Sequence, residues 1–108
     1  MKSITVAQLK EKMDAGEPIH LLDVREPNEY AEFNIGAQLF PLGRIQAMDI
    51  ADLEGWENDE VIIHCRSGAR SGNMVNWLEK NAGFTNLYNL KGGILAWAKE
   101  IDPEMPTY

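Results

Sequence analysis

Two short apolar runs, Ile19 to Val24 and Val61-Ile62-Ile63-His64, constrain this chain more than any other feature. Each is almost without polar interruption, as a strand covered on both faces requires. Between and after them lie stretches whose apolar residues recur at helical spacing. Thr5 opens the first, with Gln8 three positions on completing a capping box. Val6, Leu9 and Met13 then mark one face until Gly16 ends the run. Pro27 suits the first turn of a short helix over Asn28 to Phe33, where its missing N–H is not needed. Gly36 precedes a second strand-like run, Gln38 to Pro41. Arg44 to Leu53 reads as a helix, and Gly55 with Asn58-Asp59 as a turn. Ser71 to Lys80 is the clearest helix, Asn86 to Leu90 a last strand, and Ile94 to Lys99 a last helix opened by Gly92-Gly93. Strands alternating with helices predict an α/β domain with a mostly parallel sheet.

With 108 residues and no repeat, low-complexity segment or linker, one domain over residues 1–108 is expected. Ten Lys plus Arg stand against 17 Asp plus Glu, a net charge of −7, which argues against nucleic acid as a general partner. No run approaches the roughly 20 apolar residues of a membrane span, and Met1-Lys2-Ser3 does not open a signal peptide. A soluble, acidic, cytoplasmic domain with no membrane partner is therefore expected. The single cysteine excludes an internal disulfide and a cysteine-cluster metal site, and any resolving thiol must come from another molecule. No metal or cofactor is expected.

That cysteine, Cys65, sits at the carboxyl end of the strongest strand, where sites gather in open α/β sheets. The segment leading to the strongest helix is Cys65-Arg66-Ser67-Gly68-Ala69-Arg70-Ser71. Its small residues let the backbone curl, and Gly68 permits a positive φ. A curled loop feeding a helix N-terminus aims successive N–H groups at one point, forming an anion-binding nest. Arg66 and Arg70 add two guanidinium groups to an otherwise acidic chain, and such surroundings lower a thiol pKa. The bland alternative is a buried cysteine acting as a small hydrophobe. A core cysteine needs neither glycine curvature nor two neighbouring arginines, so Cys65 is read as a nucleophile.

Here the sequence resembles the rhodanese family of sulfurtransferases, over almost the whole chain. Leu22-Asp23-Val24-Arg25-Glu26 with Glu29-Tyr30 is similar to the family's first signature, and Ile35-Gly36-Ala37 and Pro41-Leu42 to the segment after it. Residues 65–71 resemble the active-site loop, and Asn89-Leu90-Lys91-Gly92-Gly93-Ile94 with Ala96-Trp97 the C-terminal signature. One segment departs from the pattern. Where the family usually has Gly-His-Ile-x-Gly-Ala, Phe33-Asn34-Ile35-Gly36-Ala37 carries Asn34 and is one residue shorter, which puts the local turn in question.

The resemblance implies a central parallel sheet of about five strands with helices on both faces. It implies that Cys65 takes a sulfane sulfur from a small anionic donor, commonly thiosulfate, and holds it as a persulfide for a thiol or cyanide acceptor. Arg66, Ser67, Gly68, Ala69, Arg70 and Ser71 would bind the substrate anion, with Arg70 alternatively turned back as a brace. Cysteine phosphatases, some sharing this fold, use Cys-x5-Arg loops, whereas four residues separate Cys65 from Arg70. The smaller nest suits one sulfur better than a phosphoryl group. A second implied role is a persulfide relay between partner proteins. The stretch Lys91 to Trp97, Asp102-Pro103 and Pro106-Thr107-Tyr108 is similar to rhodanese domains fused behind activating enzymes of sulfur pathways. With one domain expected, the role of those fusions does not simply carry over.

Among the other polar residues, Asp23 and Arg25 read as a structural ion pair supporting the site. By resemblance, Asp23 is also a candidate hydrogen-bond partner near the active loop. His64 precedes Cys65 in a strand and so points to the opposite face, as a satisfied core histidine rather than a base. Arg44 is a candidate for the pocket border, and His20 reads as structural or exposed. Trp77 and Trp97 read as core, and Trp56 as the more exposed indole.

Overall fold

The computed structural model describes residues 1–106; Thr107 and Tyr108, the end of the C-terminal stretch compared above with fused domains, lie outside them. Five strands form one wholly parallel sheet: β1 (Lys2–Ile4), β2 (His20–Asp23), β3 (Gln38–Leu39), β4 (Val61–His64) and β5 (Leu87–Leu90), in the order β1-β5-β4-β2-β3. Four α-helices lie between them, α1 (Val6–Asp14), α2 (Pro27–Glu32), α3 (Leu42–Gln46) and α4 (Ala69–Asn81), and α5 (Gly93–Glu100) follows β5.

Strand β4 is buried at every position and divides its side chains between two cores. Val61, Ile63 and Cys65 join Leu22, Leu87, Ile45 and the α4 residues Met74, Val75 and Leu78 on one face. Ile62 joins Ile4, Leu90, Val6, Leu9 and Trp97 on the other. The alternation puts Cys65 under α4 and His64 on the far side of the sheet. Trp77 packs against the first core half-buried, and Trp97 is 7% exposed within the second.

Local signals and structure agree where short-range chemistry decides. The Gln8 amide donates to Thr5 Oγ1 at 3.1 Å, and the Thr5 amide to Gln8 Oε1 at 2.9 Å, completing the capping box. Asn34 closes the departing turn by itself. Its Nδ2 donates to the Tyr30 carbonyl at 3.1 Å, and its Oδ1 accepts from the Gly36 amide at 2.9 Å. That local Asx turn does the work of a longer segment.

Three larger departures from the sequence reading have local causes. Strand β1 escapes it because two of its three residues are exposed and no periodicity shows. Strand β3 ends at Leu39 because the chain turns there into α3, with Pro41 as its cap, although the Phe40 and Leu42 amides still donate to the Asp23 and Val24 carbonyls at 2.8 and 3.1 Å. The helix expected over Arg44 to Leu53 breaks into α3 and a 3-10 turn at Ala51–Leu53. The break falls at Met48, left-handed with φ 60°, and Arg44 pairs there with Asp49 at 2.9 Å and Asp52 at 3.1 Å.

At the carboxyl end of the central strands lies a wholly buried ionic cluster. Arg25 Nη2 donates to Asp23 Oδ2 at 2.8 Å and to the Phe33 carbonyl at 2.9 Å; Arg25 Nε and the Arg25 amide each donate to Asp23 Oδ1 at 3.0 Å. Both side chains have no exposed surface. His64 is equally buried but not satisfied, a correction to the reading from sequence. Its Nδ1 lies 3.3 Å from the Cys65 carbonyl, while Nε2 has no hydrogen-bond partner and stands 3.6 Å from Asp23 Oδ2.

Removing one partner of a buried ion pair strands the other charge in a low dielectric. Asp23→Ala is expected to destabilise the fold by about 3–5 kcal/mol, read from urea unfolding. Burial lowers the His64 pKa from its ordinary value, against the raising pull of Asp23. The unfolded chain therefore binds a proton below about pH 6.5 that the folded chain refuses, so stability is full above that pH and falls below it. The urea midpoint should drop between about pH 7 and 5.5, and His64→Asn should flatten that slope.

Candidate active site

Cys65 follows the last residue of β4, with 1% of its surface exposed. The chain then turns back on its sulfur. The Gly68 amide donates to Cys65 Sγ at 3.1 Å, the Ser71 amide at 3.4 Å and the Ser71 hydroxyl lies at 3.3 Å. The Ser67 amide also favours the ionised sulfur. Burial alone pushes the thiol pKa up. The Ser71 hydroxyl and the amides of Ser71, Gly68 and Ser67 more than offset it, and the net shift is downward from the ordinary value. This sulfur is hidden from bulk water yet held ready to carry a negative charge.

Two glycines make the curl. Gly68 caps α4 with φ 108°, a left-handed conformation that a side chain would strain, so Ala69, Arg70 and Ser71 form the helix's first turn rather than loop. Gly93 opens α5 with φ 59°, and a Cβ there would stand 2.5 Å from the Arg66 carbonyl oxygen and 2.6 Å from that of Cys65. The approach lets α5 tie the loop down. The Ile94 amide donates to the Cys65 carbonyl at 3.0 Å and the Leu95 amide to the Arg66 carbonyl at 3.1 Å. In the sequence Gly92-Gly93 showed a helix start and a place in the C-terminal signature but not this contact, because its partner carbonyls lie almost thirty residues earlier.

The two arginines part company. Arg70 forms a fork with Glu29 of α2, Nη1 to Oε1 at 2.7 Å and Nη2 to Oε2 at 2.9 Å, which braces α2 against α4. Its charge is offset by that partner. Arg66 is half-buried at the loop's start, and Ser67 and Ala69 are exposed. The Asp23 carboxylate is taken up by Arg25 rather than by the loop. Arg44 spends its guanidinium on Asp49 and Asp52 and lies 4.2 Å over the Phe40 ring. Trp56 is half-buried and stacks on His20 at 3.8 Å, with His20 Nε2 3.1 Å from Asp59.

One residue of this site has no signal in the sequence beyond its place in a motif. Asn89 of β5 accepts from the Ser71 hydroxyl at Oδ1, 2.5 Å away, and donates from Nδ2 to the Gly68 carbonyl at 3.1 Å. Gly72 makes room for it: a Cβ on that glycine would stand 3.2 Å from Asn89 Nδ2. A polar residue in a strand with buried leucines at both ends was the only hint.

Comparison with known proteins agrees with this geometry. The sequence profile of the rhodanese-like domain matches residues 5–100. YtwF of Bacillus subtilis, whose name assigns it provisionally as a sulfurtransferase, is 39% identical over 106 residues, covering 96% of this chain and 97% of its own. MoeZ of Mycobacterium tuberculosis, named as a probable adenylyltransferase/sulfurtransferase, is 36% identical over 98% of this chain and 27% of its own. The chain thus spans only 27% to 38% of the length of several relatives. A solved rhodanese-like domain protein from Staphylococcus aureus superposes with a TM-score of 0.80 at 36% identity, covering 94% of this chain and 95% of that one. Five parallel strands, a cysteine held by its own loop and a profile matching most of the chain place it in the rhodanese-like domain family.

Proposed function

We propose that this protein is a sulfurtransferase that carries a sulfane sulfur as a persulfide on Cys65. The observation behind the reading is two amides converging on one buried sulfur, those of Gly68 and Ser71 at 3.1 and 3.4 Å, with the Ser71 hydroxyl oxygen 3.3 Å away. Donors fixed in advance around a developing anion stabilise it without reorganising. Burial to 1% favours a donor whose reactive end is a single protruding sulfur.

With thiosulfate, the Cys65 thiolate attacks the outer sulfur. A new S–S bond forms to Sγ, the old one breaks, and its electron pair leaves with sulfite. The negative charge now rests on the terminal sulfur of the persulfide, where amides of residues 66–71 receive it. A thiol or cyanide then attacks that sulfur, and the electron pair of the Sγ–S bond returns to Cys65 as thiolate. Each substrate is handled in turn, which gives ping-pong kinetics. Arg66 steers the anionic donor. Arg70 and the buried Asp23–Arg25 pair hold the loop's surroundings in place. The reaction needs no cofactor.

A second reading, a relay taking sulfur from one protein and passing it to another, is favoured by one observation. MoeZ joins an adenylyltransferase name and a sulfurtransferase name in a chain several times longer than the matched region. Either role fits one domain over residues 1–108. No helix among the described residues is long and apolar enough to cross a membrane, and we place the reaction in the cytoplasm.

Intact-mass measurement after incubation with thiosulfate separates these readings. A gain of one sulfur on wild type, lost on adding cyanide and absent in Cys65→Ser, is the expected result. No gain from thiosulfate but a gain from a persulfidated protein favours the relay, and transfer by Cys65→Ser sinks both. The thiol itself is tested by iodoacetamide alkylation against pH. The midpoint should lie below the roughly 8.5 of a free cysteine, and Ser71→Ala should raise it.

A further inference from the structure

Ser71 stands between two acceptors with one proton to give. Its oxygen lies 3.3 Å from Cys65 Sγ and 2.5 Å from Asn89 Oδ1. A hydroxyl donates a single hydrogen bond, and a carboxamide oxygen donates none. The orientation of Asn89 is not free, because its Nδ2 donates to the Gly68 carbonyl, which can only accept. Oδ1 therefore faces Ser71, and at 2.5 Å the hydrogen between the two oxygens belongs to Ser71 and points at Asn89. Ser71 then turns a lone pair toward the sulfur, which suits a thiol S–H and not a thiolate.

We propose that Asn89 is a positioning residue that governs the reactivity of Cys65 by holding the Ser71 hydroxyl proton away from the sulfur. When Cys65 ionises, its proton leaves to solvent and the Ser71 O–H swings from Asn89 to Sγ. Two oxygens 2.5 Å apart are then left with no hydrogen between them, so the contact must lengthen. Asn89 thus opposes ionisation of the free cysteine, while the amides of Gly68 and Ser71 favour it. The Gly68 carbonyl also accepts from the Gly72 amide at 3.0 Å, so the curl keeps an anchor without Asn89. The consequence for sulfur transfer rests on the function proposed above; the effect on the thiol does not.

The other charged groups around this end of the sheet include Arg66, Arg70 with Glu29 of α2, the buried Asp23, Arg25 and His64 at the ends of β2 and β4, and the exposed Lys91 just past β5. All stay constant in a cycle of Asn89→Ala, Ser71→Ala and the double variant, read as the pH midpoint of iodoacetamide alkylation. Asn89→Ala should lower the midpoint by roughly one pH unit, about what a hydrogen bond to a charged group moves. In the Ser71→Ala background the same substitution should move it little, because the proton in dispute is gone. An unchanged or raised midpoint in Asn89→Ala, or an equal fall without the Ser71 hydroxyl, overturns the proposal. Asn89→Asp, of nearly the same size, is a second probe; it gives up the donation to the Gly68 carbonyl, which keeps the Gly72 amide. Its carboxylate keeps the Ser71 proton and adds negative charge, so the midpoint should rise, and more with Ser71 present than without it. A fall, or an equal rise in both backgrounds, counts against the idea. Because alkylation needs no sulfur donor, absence of transfer to any acceptor leaves this test intact.

Discussion

Peptide planarity is the constraint on which this site depends. In a trans peptide the C=O and the following N–H point in opposite directions. The α5 amides of Ile94 and Leu95 take the Cys65 and Arg66 carbonyls at 3.0 and 3.1 Å. The N–H groups of Arg66 and Ser67 must then face away from α5. The Ser67 amide is thus aimed toward the sulfur by what holds the Arg66 carbonyl on the other side, and Gly93 allows that hold because a Cβ would strike both carbonyls. The nest is imposed from outside the loop as much as by the loop's own sequence.

The same logic explains why Cys65 can be buried and still ionise. In an apolar core, loss of water raises a thiol's pKa. Here the water is replaced by fixed dipoles that cost no reorganisation, and the net effect runs the other way. The cationic side chains are secondary: Arg70 is matched by Glu29 in a bidentate fork, which is the brace offered above as its alternative role. A buried sulfur surrounded by backbone donors is set apart from the acidic exterior of a chain whose net charge is −7.

How much was legible in the sequence follows the range of the interaction responsible. The strands β2 and β4, the capping box at Thr5 and the curl at Gly68 are set within a few residues, and each could be read directly. The end of α3 at Met48 was missed because a non-glycine residue there takes a left-handed conformation, held by Arg44 reaching Asp49 and Asp52. Strand β1 was missed because its stability is its pairing with β5, eighty-six residues away at Lys2 and Tyr88. Within the site, Cys65 and its loop were legible by composition and position. Gly93 and Asn89 were not, since each acts on a residue more than fifteen positions off.

Asn89 shows why the second kind of residue matters more than its silence in the sequence suggests. Through Gly68 and Ser71 it touches two of the groups that hold the sulfur, without touching the sulfur itself. Its strand neighbour across the sheet is Ile63, two residues before Cys65, so β4 and β5 hold Asn89 and Cys65 in fixed register. Parallel pairing delivers that register, because it brings the carboxyl ends of both strands to the same edge, where the loops that follow them meet. On the function proposed above, Cys65 must hold its sulfur tightly enough to survive transit and loosely enough to give it up. Donors shared with a third group, rather than donors committed to the sulfur, allow that balance to be set by rotating one hydroxyl.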